Sequence, residues 1–216
     1  MKIKIDRFTQ RGTNLAIRCP HCGHFGTFES LNCEISINTT DGSPMYYVGV
    51  KRCPNTNCKG QLYYVKDIAK GQIIETCPSE TIPFDKENIP AKILNAFEES
   101  IKCHSNSCFI ASAIMIRKTL EEICFDRGAT GKNLKDRLKD LGTKILIPKE
   151  LIGGMDDLRL LGNDAAHIEA TTFSEIGKEE IEISINFAKE ILKAVYQYEY
   201  LLDKLRKLKE KKNNEV

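Results

Sequence analysis

Hydrophobic and polar residues follow two different periods along this chain, and the change falls near residue 90. Before it, the period is two. Met1-Lys-Ile-Lys-Ile-Asp6 alternates charge with isoleucine. Glu34-Ile-Ser-Ile37, Tyr46-Tyr-Val-Gly-Val50 and Gln61-Leu-Tyr-Tyr-Val65 are short runs rich in β-branched and aromatic residues. Such runs predict strands. Thr40-Asp-Gly-Ser-Pro44 is a hairpin turn signal between two of them. Cys77 to Pro90 holds three prolines and no period, which reads as an extended connector.

From Pro90 onward the period is helical. Pro90 suits the first turn of a helix, and Ala91 to Ile101 continues it. A second helix starts near Ser105–Ser107, runs through Phe109 to Cys124 and stops before Gly128. Its first half is apolar nearly all round, which predicts the central, most buried helix. A short helix covers Asn133 to Leu141, and Pro148 opens another. The last helix is long, from about Ser174 to Lys209. Ile181, Ile185, Ala188, Leu192, Val195, Leu202 and Leu205 recur along it at about 3.5 residues. The expected fold class is therefore α+β in two domains. Residues 1–75 form a small β-rich domain, 76–89 a linker, and 90–216 an all-α bundle with a long C-terminal helix.

Cysteine adds chemistry to the first part. The chain has nine cysteines. No apolar h-region opens it, and no apolar run approaches the roughly 18 residues of a membrane helix. A cytoplasmic protein with no membrane partner is expected, and thiols there stay reduced, so metal binding comes before disulfides. Cys19-Pro-His-Cys22 is one knuckle and Cys53-Pro-Asn-Thr-Asn-Cys58 a second. Tight turns of this kind aim two thiolates at one point. Two turns supply the four sulfurs of a tetrahedral zinc site, so Cys19, Cys22, Cys53 and Cys58 are the expected ligands. Four protein ligands leave no open position, so the zinc would be structural. His21 and His24 are expected to be exposed or beside the ligands. Cys33 and Cys77 are weaker substitutes.

Charge changes the picture little. Net charge is +2, but residues 1–75 hold ten Lys/Arg against six Asp/Glu, and the remainder holds 22 against 24. A mildly basic first part fits a polyanionic partner. Phe25, Phe28, Tyr46, Tyr47, Tyr63 and Tyr64 read mainly as the core of a small sheet. One or two could stack on bases, with Lys51, Arg52 and Lys59 touching phosphate. Lys204, Arg206, Lys207, Lys209, Lys211 and Lys212 make the chain end basic, which suits a helix C-terminus and a solvated tail.

The most specific stretch in the helical part is Arg159-Leu-Leu-Gly-Asn163-Asp-Ala-Ala-His167. If it is helical throughout, Arg159, Asn163 and His167 form one polar ladder. Leu158, Leu161, Ala165 and Ile168 then form an apolar stripe beside it. An ideal helix sets Arg159 about 80° around and about 12 Å along the axis from His167, so both can face one cleft. A guanidinium, an amide and an imidazole so placed form either a phosphate-handling set or a buried hydrogen-bond network. Arg117 and Glu121, four apart on the central helix, form a structural pair or orient the ladder from across the bundle. Cys103-His104 and Cys108 sit at the junction of two helices and read as a cap region.

Residues 105–205 resemble the domain of unknown function numbered 4145, within the wider HEPN superfamily of helical bundles. Three segments carry the resemblance: Ala113-x-x-x-Arg117-x-Thr-Leu-Glu121-x-Ile-Cys124, Gly131-x-x-Leu134, and Leu158-Arg159-x-x-Gly162-Asn163-x-Ala-Ala-His167. The resemblance implies a bundle that dimerises. It also implies a composite, metal-independent endoribonuclease site built from arginine and histidine, and a place in bacterial defence, toxin or restriction systems. By that analogy His167 moves protons at the 2′-hydroxyl or leaving oxygen, Arg159 stabilises phosphate charge, and Asn163 fixes the imidazole or touches phosphate. The other expectation is a non-catalytic module that binds RNA, DNA or a defence-system partner protein.

Overall fold

The computed structural model describes residues 10–11, 14–31, 34–38, 44–167 and 176–213. The expected strand at Met1–Asp6, Cys33, the turn residues before Pro44, Ile168 and Ser174 lie outside the described residues. The chain divides into two compact units, residues 1–83 and 84–216.

The first unit is an antiparallel sheet. Its strands are β1 (Gln10–Arg11), β2 (Leu15–Arg18), β3 (Phe25–Ser30), β4 (Glu34–Asn38), β5 (Pro44–Arg52), β6 (Gln61–Asp67) and β7 (Ile73–Cys77). The sheet thus runs two residues past the expected limit at residue 75. The nine-residue β5 organises it. One edge of β5 pairs with β4 over its first half and with β3 at Lys51 and Arg52, and the other edge pairs with β6 from Tyr46 to Arg52. Strand alternation then places Tyr47, Gly49, Lys51 and Cys53 on one face. That face meets a core of Leu15, Ile17, Phe28, Leu62 and Tyr64, closed by Cys19 and Cys53. Tyr64 and Phe28 are the aromatic core expected from the sequence, whereas Phe25 and Tyr63 stand in solvent.

Lys51 departs from expectation. It does not face solvent as a phosphate contact but is 0% exposed, ion-paired with Glu34 and donating to Ser30 Oγ at 2.8 Å. Its position two residues before Cys53 puts it on the inner face, and an ammonium there must be paired. Arg52 is half-buried and bonded to Glu29, which leaves Lys59 exposed.

The second unit is helical: α1 (Ala91–Ser105), α2 (Phe109–Asp126), α3 (Leu134–Lys144), α4 (Lys149–Ala166), α5 (Lys178–Leu192) and α6 (Tyr198–Asn213). Pro90 and Pro148 sit immediately before α1 and α4 in extended conformation. Gly128, with φ +64°, ends α2. The Ala129 N–H returns to Cys124 O at 2.7 Å, a closure that needs a left-handed residue. Asn133 opens α3 by accepting from Asp136 N at 3.0 Å.

α2 is central, packing against α1, α3, α4 and α5. It is not buried all round, however. Ile110, Ile114 and Phe125 lie on an exposed face, because four neighbours cover only one side of it. Two glycines bring helices unusually close. A Cβ at Gly162 of α4 would lie 2.5 Å from Arg117 Cβ on α2, and one at Gly154 would lie 2.2 Å from Phe187 Cζ on α5.

The last helix is interrupted. Gly177 precedes α5, and a π turn at Lys193–Gln197 separates it from α6. Ile181, Ile185, Ala188, Leu192 and Val195 are buried as expected, but Leu202 and Leu205 are exposed. The wide turn holds one residue more than an α turn. It therefore rotates the apolar stripe by roughly 100° away from the line that α5 follows.

Candidate functional site

The four predicted cysteines converge. Their sulfurs all lie within 4.8 Å of one another, with Cys19–Cys58 at 3.9 Å and Cys22–Cys53 at 3.8 Å. Sulfurs in a disulfide are about 2.05 Å apart, so these are four separate thiols. The turns that aim them have the same plan. In the first, Cys19 N–H bonds His24 O at 2.8 Å and Gly23 N–H bonds Cys19 O at 2.9 Å. In the second, Cys53 N–H bonds Gly60 O at 2.8 Å and Cys58 N–H bonds Asn55 O at 2.9 Å. Gly23 takes φ +73°, and Lys59 takes φ +51° at the matching place.

Backbone N–H groups of His21 and Gly60 point at Cys19 and Cys58 sulfur, each at 3.4 Å, and Asn55 Nδ2 lies 3.7 Å from Cys22 sulfur. Such donors stabilise thiolate charge. Burial, together with the neighbouring Cys19 and Cys22, acts oppositely and pushes the Cys53 thiol up to about 12. Four thiols held this close, with N–H donors aimed at their sulfurs, form a group that could hold a metal ion. His21 does not join the ligands. Its Nε2 pairs with Gln61 O at 2.9 Å, and its ring covers Gly60, where a Cβ would meet it at 2.4 Å. His24 is exposed. Cys77 lies at the end of β7, outside the cluster.

The Arg159, Asn163 and His167 positions are handled differently. Arg159 and Asn163 lie within α4, but the helix ends at Ala166. His167 is the residue that leaves it, with φ −132° and ψ 124°. That φ is roughly 70° from the helical value, so the imidazole does not continue the i+4 ladder. Its N–H still bonds Asn163 O at 3.0 Å, and its side chain is exposed.

Arg159 turns the other way. Helical side chains lean toward the N-terminus. Its Nε meets Asp156 Oδ1 at 2.5 Å one turn earlier, and the side chain is only 11% exposed. Arg159 is thus held by Asp156 toward the N-terminal side, and His167 stands exposed where α4 ends. Asp156 was not foreseen, although an acid three residues before a helical arginine is a readable signal.

Arg117 reaches α4 directly. Its stem passes over Gly162, its Nη1 donates to Arg159 O at 3.1 Å, and its Nε lies 3.4 Å from Glu121. The donation ties α2 to the backbone of the arginine that was expected to be catalytic. Gly162 is required for that crossing because any side chain there would displace Arg117. At the α1–α2 junction His104 is largely buried, with Glu182 of α5 at 3.4 Å and Phe109 at 5.9 Å between ring centroids. Burial lowers its pKa, while the nearby Glu182 pulls the other way. Cys103 and Cys108 join no cluster of potential metal ligands among the described residues.

No described helix is long and apolar enough to cross a membrane. The family described as a domain of unknown function (DUF4145) matches residues 98–211, more than half of the chain, and the chain belongs to that family. Its match runs from the second half of α1 into α6, and includes the Arg117–Gly162 crossing. No curated protein and no solved structure matches the chain.

Proposed function

We propose that this chain is a zinc-stapled, non-catalytic binding and assembly module with a HEPN-like helical domain. It would act in the cytoplasm as part of a bacterial defence or restriction system. The observation that carries this reading is Arg159. Its guanidinium is engaged by Asp156 and nearly buried, and it leans away from His167. A residue so held is poorly placed to meet a phosphate beside the imidazole. Its role, with Gly162 and Arg117, is to set the α2–α4 crossing.

Zinc is the metal that fits the cysteines. Zn–S bonds of about 2.3 Å in a tetrahedron put neighbouring sulfurs about 3.8 Å apart. The sulfur pairs at 3.8 and 3.9 Å match that edge. With Cys19, Cys22, Cys53 and Cys58 as ligands the shell is closed, so the ion holds the two turns together and activates no water. Recognition of RNA, DNA or a partner protein falls to the exposed side of this unit, where Phe25 and Tyr63 stand in solvent and Lys59 supplies charge.

The exposed imidazole of His167 favours a second reading. Two copies could bring one chain's His167 to an arginine of the other, as a metal-independent endoribonuclease would need. The deciding experiment offers single-stranded RNA and host tRNA to the full-length protein in EDTA. We expect no cleavage by wild type, and unchanged nucleic-acid or partner binding in His167→Ala. Cleavage that His167→Ala abolishes would overturn the module reading in favour of the nuclease.

A further inference from the structure

The turn that ends α1 brings two cysteines together. Ser107 takes a left-handed backbone, with φ +59°. The Cys108 N–H returns to Cys103 O at 2.8 Å, and the Ser107 N–H to His104 O at 2.9 Å. These are the two bonds of a Schellman motif. That motif sets the third residue from the helix end against the residue that follows the left-handed one. α1 ends at Ser105, so those two residues are Cys103 and Cys108. The 2.8 Å bond between them limits their Cα separation to about 6.7 Å, given the length of the backbone bonds on either side. Disulfides span Cα atoms about 4.4–6.8 Å apart, so this turn can carry one.

The side-chain contact in such a motif is commonly apolar packing. Exposure argues against that role here, because Cys108 is exposed and Cys103 is only partly buried. The two thiols are also unequal. Cys108 is open to solvent and directly precedes α2, where backbone N–H groups favour negative charge. Cys103 is less accessible. Burial, and after it the charges of Glu99 and Cys108, hold its thiol above the ordinary cysteine value. Cys108 is therefore the sulfur that an oxidant reaches, and Cys103 stays a thiol beside it. His104 is largely buried next to Glu182 of α5 and Phe109 of α2, which fixes the turn from within the bundle.

We propose that Cys103 and Cys108 form a reversible redox modification site, oxidised by hydrogen peroxide to an intrachain disulfide. The Cys108 thiolate attacks one peroxide oxygen. The S–O bond forms, the O–O bond breaks and hydroxide leaves, giving a sulfenic acid. The Cys103 sulfur then attacks Cys108. The S–S bond forms, the S–O bond breaks, and the departing hydroxide takes the Cys103 proton as water. Two thiols and one peroxide thus become one disulfide and two waters. A dithiol reductant reverses the step by thiol–disulfide exchange, being itself oxidised. A disulfide that forms and opens in this way suits a reducing compartment, where such bonds are transient.

The test treats the full-length chain with hydrogen peroxide, blocks remaining thiols with iodoacetamide and digests with trypsin without reductant. Trypsin cuts after Lys102 and Arg117, so both cysteines fall in one peptide, residues 103–117. We expect that peptide to lose two hydrogens and to carry no label. Dithiothreitol added before the block should restore label at both positions. In Cys103→Ser the oxidised Cys108 should persist as a sulfenic acid that dimedone traps, and in Cys108→Ser the Cys103 thiol should survive. Circular dichroism checks that both variants fold, and the wild-type result stands without them. A wild-type peptide that keeps both labels, carries Cys108 only as a sulfinic acid or is joined to a different peptide overturns the proposal. Oxidation of Cys103 in Cys108→Ser as fast as in wild type overturns it as well.

Discussion

The innermost side chains of the sheet unit include a lysine, a glutamate and two thiols, whereas those of the helical unit are isoleucine, leucine, methionine and phenylalanine. The buried hydroxyls of Ser100, Ser112, Thr119 and Ser184 in the helical unit each donate to a backbone carbonyl and so add little demand. The sheet unit instead buries a lysine and a glutamate and pairs them with each other. A small sheet has too little apolar area to stabilise itself, so cross-links take over. A bundle of this length does so by close packing, and its special residues are the glycines that permit it.

Removing the proposed zinc should break the comparison most sharply. Structural zinc contributes about 10–16 kcal/mol of apparent binding free energy, as much as a small domain's whole stability. Cys19→Ser is expected to abolish metal content and open residues 14–77 to protease, while the helical circular dichroism persists. Loss of helicity in the same variant would show that the two units do not fold by separate means.

Lys51→Met comes next. It strands a buried carboxylate, at a cost of about 3–5 kcal/mol, whereas Lys51→Met with Glu34→Leu should recover most of the loss. Urea midpoints of the single and double variants check this. Equal loss in both would mean that the pair contributes packing and not charge balance.

Gly162→Ala should cost about 1–3 kcal/mol through overpacking against Arg117, with metal content unchanged. Arg117→Ala in the same chain should leave most of that cost, because the nearest atom, Arg117 Cβ at 2.5 Å, is retained in alanine. If Gly162→Ala is neutral by thermal melting, the close α2–α4 crossing does not limit stability.

The smallest effect is on pH. Burial holds His104 below the ordinary histidine value, so the unfolded chain binds the proton first as pH falls. Its contribution is therefore complete above about pH 6.5 and declines below it, through the depressed value. Melting of the helical unit should fall between neutral and mildly acidic pH, and less steeply in His104→Leu. An identical slope in the variant would place the acid sensitivity elsewhere.

Much of this was legible locally. The knuckles were readable because two cysteines and a turn lie within six residues, so spacing alone limits where the sulfurs point. Pro90, Gly128, Asn133 and Pro148 marked helix ends for the same reason. The end of α4 was not readable. Nothing in Ala165-Ala166-His167 breaks a helix, and the period continues past the point where the chain departs. Lys51 was misread although its parity with Cys53 placed it inward. The π turn was invisible because its extra residue changes no composition.

By itself the sequence determined the two periods, the four thiols and the helix boundaries marked by proline, glycine and capping residues, since each depends on neighbours in the chain. Only the tertiary structure decided that Lys51 is buried, that Arg159 pairs with Asp156 and accepts from Arg117 at its carbonyl, and that Leu202 and Leu205 face out. Those outcomes depend on which surfaces other elements cover, and coverage is set by packing between residues far apart in sequence.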